Sequence, residues 1–113
     1  MKKKIIIKIL AIFLFFPNIS FSNDLALGKE VAQTICAACH GLDGRAASGG
    51  NSALVPNIFA QNKDYLAVKL KDYKTGKIQH PQMSLIAQML SEEQILNVSE
   101  WYSKISAEIK LPD

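Results

Sequence analysis

The sequence predicts an all-α fold of about four helices in one small domain, residues 23–113. Three observations support this prediction. Apolar residues recur at helical spacing in several stretches, residues that favour helix caps stand before those stretches, and no stretch has a convincing strand pattern. A domain this short has only a thin hydrophobic core of its own.

Residues 1–22 have the pattern of a secretory signal peptide. Lysines occupy positions 2–4, an apolar run covers residues 9–16, and the small residues Ser20 and Ser22 stand where a signal peptidase would cut. The sequence therefore predicts that the mature domain is exported from the cytoplasm.

Lys8 and Pro17 make the signal slightly irregular, which leaves an uncleaved membrane anchor as an alternative. The apolar run is far shorter than the ~18 residues of a spanning helix, so no stable membrane insertion is expected after cleavage. The whole chain carries 13 basic and 10 acidic residues, a net charge of +3. Four of the lysines lie in the signal, so the mature domain is near-neutral and its charge indicates no nucleic-acid partner.

The segment Cys36-Ala37-Ala38-Cys39-His40 contains both cysteines of the chain and one of its two histidines. Two cysteines three residues apart, followed directly by a histidine, form the attachment motif of c-type haem. On a helix, residues i, i+3 and i+4 share one face. Both thiols could therefore bond to haem vinyl groups while the imidazole binds the iron.

Three other interpretations of this motif are weaker. A lone disulfide would not need His40, and a thioredoxin-like redox pair belongs beside a βαβ pattern, which this sequence lacks. A zinc site needs four ligands, and the adjacent Cys39 and His40 suit a tetrahedron poorly. We therefore expect one haem c attached through Cys36 and Cys39, which would supply apolar surface that the short chain lacks.

Residues 24–36 are predicted to form a first helix capped by Asn23 or Asp24. Gly28 within this helix indicates the close approach of another helix. Residues 41–55 follow as a glycine-rich loop. The apolar face of the first helix is predicted to comprise Leu27, Val31 and Ile35.

A second helix is predicted over residues 63–74, with Asn62 as its N-cap and Gly76 as its stop. Its apolar side is predicted to comprise Tyr65, Leu66, Val68, Leu70 and Tyr73. Four lysines in this region form either a solvated face or a docking patch for an acidic partner. They are Lys69, Lys71, Lys74 and Lys77.

Pro81 restricts His80 to an extended conformation, and a short helix is predicted over residues 84–90. Ser91 and Gln94 form a capping box that begins the last helix. The buried face of that helix is predicted to comprise Ile95, Val98, Trp101, Tyr102 and Ile105.

This order of features resembles the class I c-type cytochromes, in particular the short soluble bacterial monohaem type and single domains of the periplasmic dihaem cytochromes. The similarity covers nearly the whole mature chain. The resemblance implies the small cytochrome c fold, with the helices wrapped around one covalently attached haem. It is carried by the Gly28 helix, the attachment motif with Gly41, the loop to Pro56, the pair Tyr65-Leu66, a methionine segment before Leu90-Ser91-Glu92-Glu93-Gln94 and the aromatic last helix.

The resemblance implies histidine on one side of the iron and methionine on the other, a ligand set that raises the reduction potential and suits electron transfer. His40 matches the proximal position. Met83 matches the distal position, since it precedes the serine that caps the last helix by the interval found in the family. Two alternatives remain. Met89 lies at helical spacing with apolar neighbours, which favours core packing, and His80 precedes a proline and falls outside the family pattern.

The resemblance also implies that the Pro56 carbonyl accepts a hydrogen bond from the proximal imidazole, which fixes the ring tautomer and raises ligand basicity. An ordinary turn proline is the alternative. The implied function is a periplasmic one-electron carrier between larger redox partners, such as an oxidase, a reductase or a dehydrogenase. Two other classes stay open: a haem-bearing, electron-accepting subunit of a dehydrogenase complex, and a sensor or peroxidase-like protein with an open iron site.

Overall fold

The computed structural model describes residues 24–47 and 54–113, and within them the fold is all-helical and without strands. The predicted all-α class is thus confirmed. The predicted signal peptide, Asn23 and the loop residues 48–53 lie outside the described residues. No helix in the described ranges is both long enough and apolar enough to cross a membrane.

The first helical region has three consecutive parts, which are α1 (Leu25–Val31), a π-helical turn (Ala32–Cys36) and α2 (Ala37–His40). Asp24 caps this region, since its carboxylate accepts hydrogen bonds from two amides of the first turn at 2.8 and 3.2 Å. The π-helical turn was not expected from the sequence. No proline or glycine within it marks it in the sequence.

Gly28 brings α1 against the last helix, α5 (Glu92–Lys104). A Cβ atom on Gly28 would lie 2.2 Å from the carbonyl oxygen of Asn97 and 3.2 Å from the Cβ of Trp101. Only glycine therefore permits this crossing, and the predicted close approach is confirmed.

The predicted apolar face of the first helix is confirmed at Val31 and Ile35, which lie in or against the core, and is wrong at Leu27. Gly28, Val31 and Ala32 are buried, whereas Leu27 is exposed. The crossing explains the difference: because Gly28 must face α5, its neighbour Leu27 is turned toward solvent.

The second helix, α3 (Lys63–Thr75), begins at the predicted residue and ends one residue after the predicted end. The Asn62 side chain accepts a hydrogen bond from the Tyr65 amide at 3.0 Å, and Gly76 ends the helix. Its predicted apolar side is wrong in part, because Tyr65 and Val68 are about half exposed. Leu66 and Leu70 pack against the core as predicted, together with Ala67.

The short helix α4 (Met83–Met89) and the long helix α5 both pack against α3. Ser91 and Gln94 form the predicted capping box at the start of α5, with hydrogen bonds of 2.9 and 3.1 Å. The domain core lies between the first helical region, α3 and α5. It comprises Val31, Ala32, Ala67, Leu90, Ile95, Val98 and Tyr102.

Candidate haem-binding site

The attachment motif lies where the first helical region ends. Cys36 is the last residue of the π-helical turn and packs against the core, so burial raises the pKa of its thiol to about 11. Cys39 is exposed one turn later, and the two cysteines are not joined by a disulfide. His40 ends α2 and is half-buried. The motif therefore packs against the core at Cys36 and is exposed at Cys39.

The imidazole of His40 is held by the chain sixteen residues further on. Its Nδ1 lies 2.9 Å from the carbonyl oxygen of Pro56. A carbonyl oxygen only accepts hydrogen bonds, so Nδ1 carries the proton and Nε2 keeps its lone pair. A neutral imidazole with a free Nε2 is the form that binds a metal ion.

Hydrogen bonds between the loop and the two residues after Pro56 bring Pro56 to this position. The amide of Ile58 donates to the Gly44 carbonyl at 2.8 Å, and the amide of Ala46 donates to Oδ1 of Asn57 at 2.9 Å. Gly44 has a φ of 76°, and a Cβ atom on it would lie 2.6 Å from the Phe59 amide nitrogen. The loop closes tightly here because this position is glycine.

The last helix holds the two residues that directly follow the motif. The Tyr102 hydroxyl donates to the Gly41 carbonyl at 2.8 Å, and Nε1 of Trp101 donates to the Leu42 carbonyl at 3.0 Å. Burial raises the pKa of Tyr102, as do the nearby acidic groups of Cys36 and Asp43, so its hydroxyl stays a donor. The sequence analysis predicted both aromatic residues on the buried face of the last helix. Only their polar groups, an indole N–H and a hydroxyl, indicated that they could also form hydrogen bonds to the loop.

The methionine assigned to the distal position begins α4. Met83 is half-buried, and its backbone amide donates to Nδ1 of His80 at 3.2 Å. Met89 is 67% exposed, so the expectation that it fills the core is wrong. The face of α4 toward the core is formed by Ala87, with Leu90 just after the helix, and Met89 lies off that face.

The ring of His80, the third candidate for the distal position, is already engaged. Nδ1 faces two amide donors, those of Gln82 at 3.3 Å and Met83 at 3.2 Å. Nδ1 must therefore be the acceptor, and the proton of the neutral ring resides on Nε2. In this tautomer neither nitrogen offers a free lone pair to iron, which favours Met83 as the distal residue.

The four lysines of the α3 region have partners within the domain. Lys71 pairs with Glu92 at 3.2 Å, Lys77 pairs with Asp72 at 3.3 Å, and Lys69 lies over the Tyr65 ring. Nζ of Lys74 donates to carbonyl oxygens of Leu90 and Gln88 at the end of α4. The contacts of Lys71 and Lys74 tie α3 to α5 and to the end of α4, whereas those of Lys69 and Lys77 lie within α3 and the turn after it.

Comparison with known proteins supports the identification of this site as a haem-binding site. Residues 25–105 match the Cytochrome c family. The chain is 29% identical over 77 residues to the cytochrome subunit of sulfide dehydrogenase from Chlorobaculum tepidum, an alignment that covers 68% of this chain and 66% of the relative.

The chain also resembles two proteins named cytochrome c4. It is 25% identical over 92 residues to that of Pseudomonas aeruginosa, covering 81% of this chain and 43% of the relative. It is 28% identical over 83 residues to that of Thiocapsa roseopersicina, covering 72% and 40%. The chain thus spans just under two thirds of the first relative and about two fifths of the other two.

The family match covers most of the chain, includes the attachment motif and falls on an all-helical fold. The donor set also fits the cofactor that the family implies: two cysteines not joined by a disulfide and an imidazole whose Nε2 is left available. The chain therefore belongs to the cytochrome c family, as a class I c-type cytochrome that carries covalently bound haem c.

Proposed function

We propose that the protein is a periplasmic monohaem cytochrome c that carries one electron at a time between larger redox partners. Its haem would be held through thioether bonds to Cys36 and Cys39, and His40 and Met83 would bind its iron. The single observation that carries this proposal is the hydrogen bond between Nδ1 of His40 and the Pro56 carbonyl. This bond sets the imidazole in the form that a haem iron needs.

When bound, haem c supplies the one-electron couple of its iron. The chain contributes ligation, orientation and burial. Pro56 holds the proton of His40 on Nδ1 and keeps the ring from turning. The core contact of Cys36 fixes one point of attachment. Nothing in this role requires a substrate pocket or an acid–base group.

A carrier differs from a sensor or a peroxidase-like protein in that protein side chains bind the iron and leave it no site for a small molecule. Carbon monoxide therefore tests the proposal. We expect the spectrum of the ferrous holoprotein at neutral pH to change little under carbon monoxide, while the protein exchanges electrons rapidly with a soluble mediator. Fast, stoichiometric binding of carbon monoxide would show an open iron site and overturn the carrier function.

The distal ligand is tested with a matched pair of methionine variants. Met83→Ala should abolish the iron–methionine charge-transfer band of the ferric protein and lower the reduction potential, because a thioether ligand favours ferrous iron. Met89→Ala should keep the band and change the free energy of unfolding by less than about 0.5 kcal/mol, since Met89 is largely exposed. The opposite pattern would reassign the ligand to Met89.

The covalent attachment is tested by extraction with acidified acetone. The colour should stay with the polypeptide, and the mass should rise by that of one haem over the chain cleaved after Ser22. Loss of the colour to the solvent would contradict attachment through Cys36 and Cys39. A mass that still includes residues 1–22 would instead support the membrane-anchored form.

The similarity to the cytochrome subunit of sulfide dehydrogenase favours a second candidate function. In it, this chain would be the electron-accepting haem subunit of a larger dehydrogenase complex. Gel filtration of the native protein from its own cells separates the two candidates. A free carrier elutes as a small haem protein, whereas a subunit elutes at higher mass together with a catalytic chain and that chain's cofactor.

A further inference from the structure

We propose that His80 is a positioning residue for the distal ligand: its ring caps the start of α4 and thereby sets the backbone from which Met83 extends. This inference rests on the proposed ligation by Met83. The residue that supplies the thioether is also the one whose amide binds the imidazole, at 3.2 Å. A substitution of the His80 ring should therefore change how Met83 binds the iron.

The backbone around His80 has the arrangement of a helix N-cap. The His80 carbonyl accepts a hydrogen bond from the Ser84 amide at 3.1 Å, as the first bond of a helix requires. Pro81 occupies the next position, where a missing N–H costs nothing. The amides of Gln82 and Met83 follow, and both donate to Nδ1 of His80. The imidazole thus takes the part usually played by a serine or aspartate side chain.

The residue that caps α4 is held at its backbone by Ser84 and at its ring by Tyr73. The His80 amide donates to the Ser84 hydroxyl at 2.9 Å, and that hydroxyl donates to the Ile78 carbonyl at 3.4 Å. The Tyr73 ring of α3 meets the imidazole edge-on, with ring centroids 5.9 Å apart and an interplanar angle of 71°. His80 therefore connects α3 to the first turn of α4.

Seven residues form α4, so it has few internal hydrogen bonds to hold its first turn. Gln82, just before the helix, makes no side-chain capping bond. Within the described residues, the imidazole is the side-chain cap of this turn. Its loss should let the segment that carries Met83 open more often, which exposes the iron to other ligands.

Two variants of the purified holoprotein distinguish the hydrogen-bond acceptor of His80 from its ring contact with Tyr73. His80→Phe keeps an aromatic edge against Tyr73 but removes the acceptor, whereas His80→Asn removes the ring contact but keeps an acceptor that caps helices well. The rate of imidazole binding to the ferric protein, at fixed pH, reports how often the iron–methionine bond opens. His80→Phe should raise this rate about five- to tenfold and weaken the charge-transfer band, as expected for loss of one cap. His80→Asn should remain close to the wild type.

The outcomes distinguish a positioning role from a structural one. If His80→Phe lowers only the melting temperature and leaves the band and the imidazole rate unchanged, His80 is a structural cap and the proposal is overturned. If His80→Phe yields no folded holoprotein, Ser84→Ala takes its place, because it removes the acceptor of the His80 amide. A rise in the imidazole rate supports the proposal, and no change overturns it.

Met83→Ala, measured in parallel, separates this inference from the proposed function. If the wild type shows the band and Met83→Ala retains it, Met83 is not the ligand and the ligation itself is wrong, whatever His80 does. If His80→Phe binds carbon monoxide rapidly while Met83→Ala does not, His80 is the ligand, and both proposals fail.

Discussion

The two sides of the proposed haem site are held in place by different kinds of contact. The His40 side depends on elements far apart in the sequence: Pro56 binds the imidazole, and Trp101 and Tyr102 bind the two carbonyls that follow it. Gly28 packs the same helical region against α5. On this side, the contacts that hold the attachment motif are also contacts between the packed helices of the domain.

The Met83 side depends on contacts within residues 73–90, whereas Trp101 and Tyr102 reach the His40 side across 59 and 61 residues. His80 and Ser84 hold the first turn of α4, and Lys74 reaches across from α3 to the carbonyl oxygens at its far end. The exposed side chains of Leu85 and Met89 add little burial. A defect here should open the iron before it unfolds the domain, whereas a defect on the His40 side should unfold the domain first.

The largest effect is expected from Gly28→Ala, on the His40 side. Alanine is the better helix former by about 1 kcal/mol, but its Cβ would lie 2.2 Å from the Asn97 carbonyl oxygen. Backbone cannot move aside as a flexible side chain can, so we expect a net loss of roughly 1–3 kcal/mol in the free energy of unfolding. Chemical denaturation measures this loss.

Gln33→Ala, at an exposed position of the same helical region, is the control and should change stability by less than about 0.5 kcal/mol. Below its melting temperature, the Gly28→Ala protein should keep the iron–methionine band. An early loss of the band, with stability unchanged, would break the comparison between the two sides.

A smaller effect is expected from Lys74→Met, on the Met83 side. The ammonium group donates to carbonyl oxygens of Leu90 and Gln88, where the negative end of α4 lies. Methionine keeps much of the apolar stem but leaves these carbonyls without their charged donor. We expect a loss of about 1 kcal/mol in the free energy of unfolding and faster imidazole binding to the ferric iron.

Lys110→Met, in the exposed segment after α5, serves as the charge-matched control and should leave both quantities unchanged. Equal effects from the two lysine variants would mean that net charge, and not the contact with the end of α4, is responsible.

Features governed by a few neighbouring residues were predictable from the sequence. The caps at Asp24, Asn62 and Ser91 follow from local residue preferences. The bonds from Trp101 and Tyr102 to the loop were not predictable, because each joins residues about sixty positions apart and depends on how α5 crosses α1.

The errors over exposed residues have a common cause. Apolar spacing shows that a helix has an apolar side, but on short or mixed helices it does not show which residues face the core. The exposed Leu27, Tyr65, Val68 and Met89 are cases of this kind. Each was placed on an apolar side by helical spacing, whereas the residue buried nearby is a small one, Gly28, Ala67 or Ala87.

The smallest effect is expected at Glu100, which links the two sides because it joins α5 to the start of α3. Its carboxylate lies 2.9 Å from Nζ of Lys63 and 3.6 Å from Nζ of Lys104. The hydrogen bond from Lys63 is the main reason that the pKa of Glu100 is lowered, with the charges of both lysines adding to it. A carboxylate with a lowered pKa in the folded state stabilises the protein above its unfolded-state pKa of about 4.3.

Glu100→Gln should therefore lower the free energy of unfolding by less than about 1 kcal/mol at neutral pH. The difference between variant and wild type should stay constant down to about pH 5 and disappear as the pH falls through the folded-state pKa, since the wild-type carboxyl is then protonated and uncharged as well. Unfolding by urea at several pH values measures this difference, with Glu108→Gln, in the exposed segment after α5, as the control. A difference that persists at the lowest pH would assign the effect to packing of the side chain.

If instead the imidazole binding rate of Glu100→Gln rose as much as in Lys74→Met, the Met83 side would depend on the α3–α5 contact as well as on its own caps.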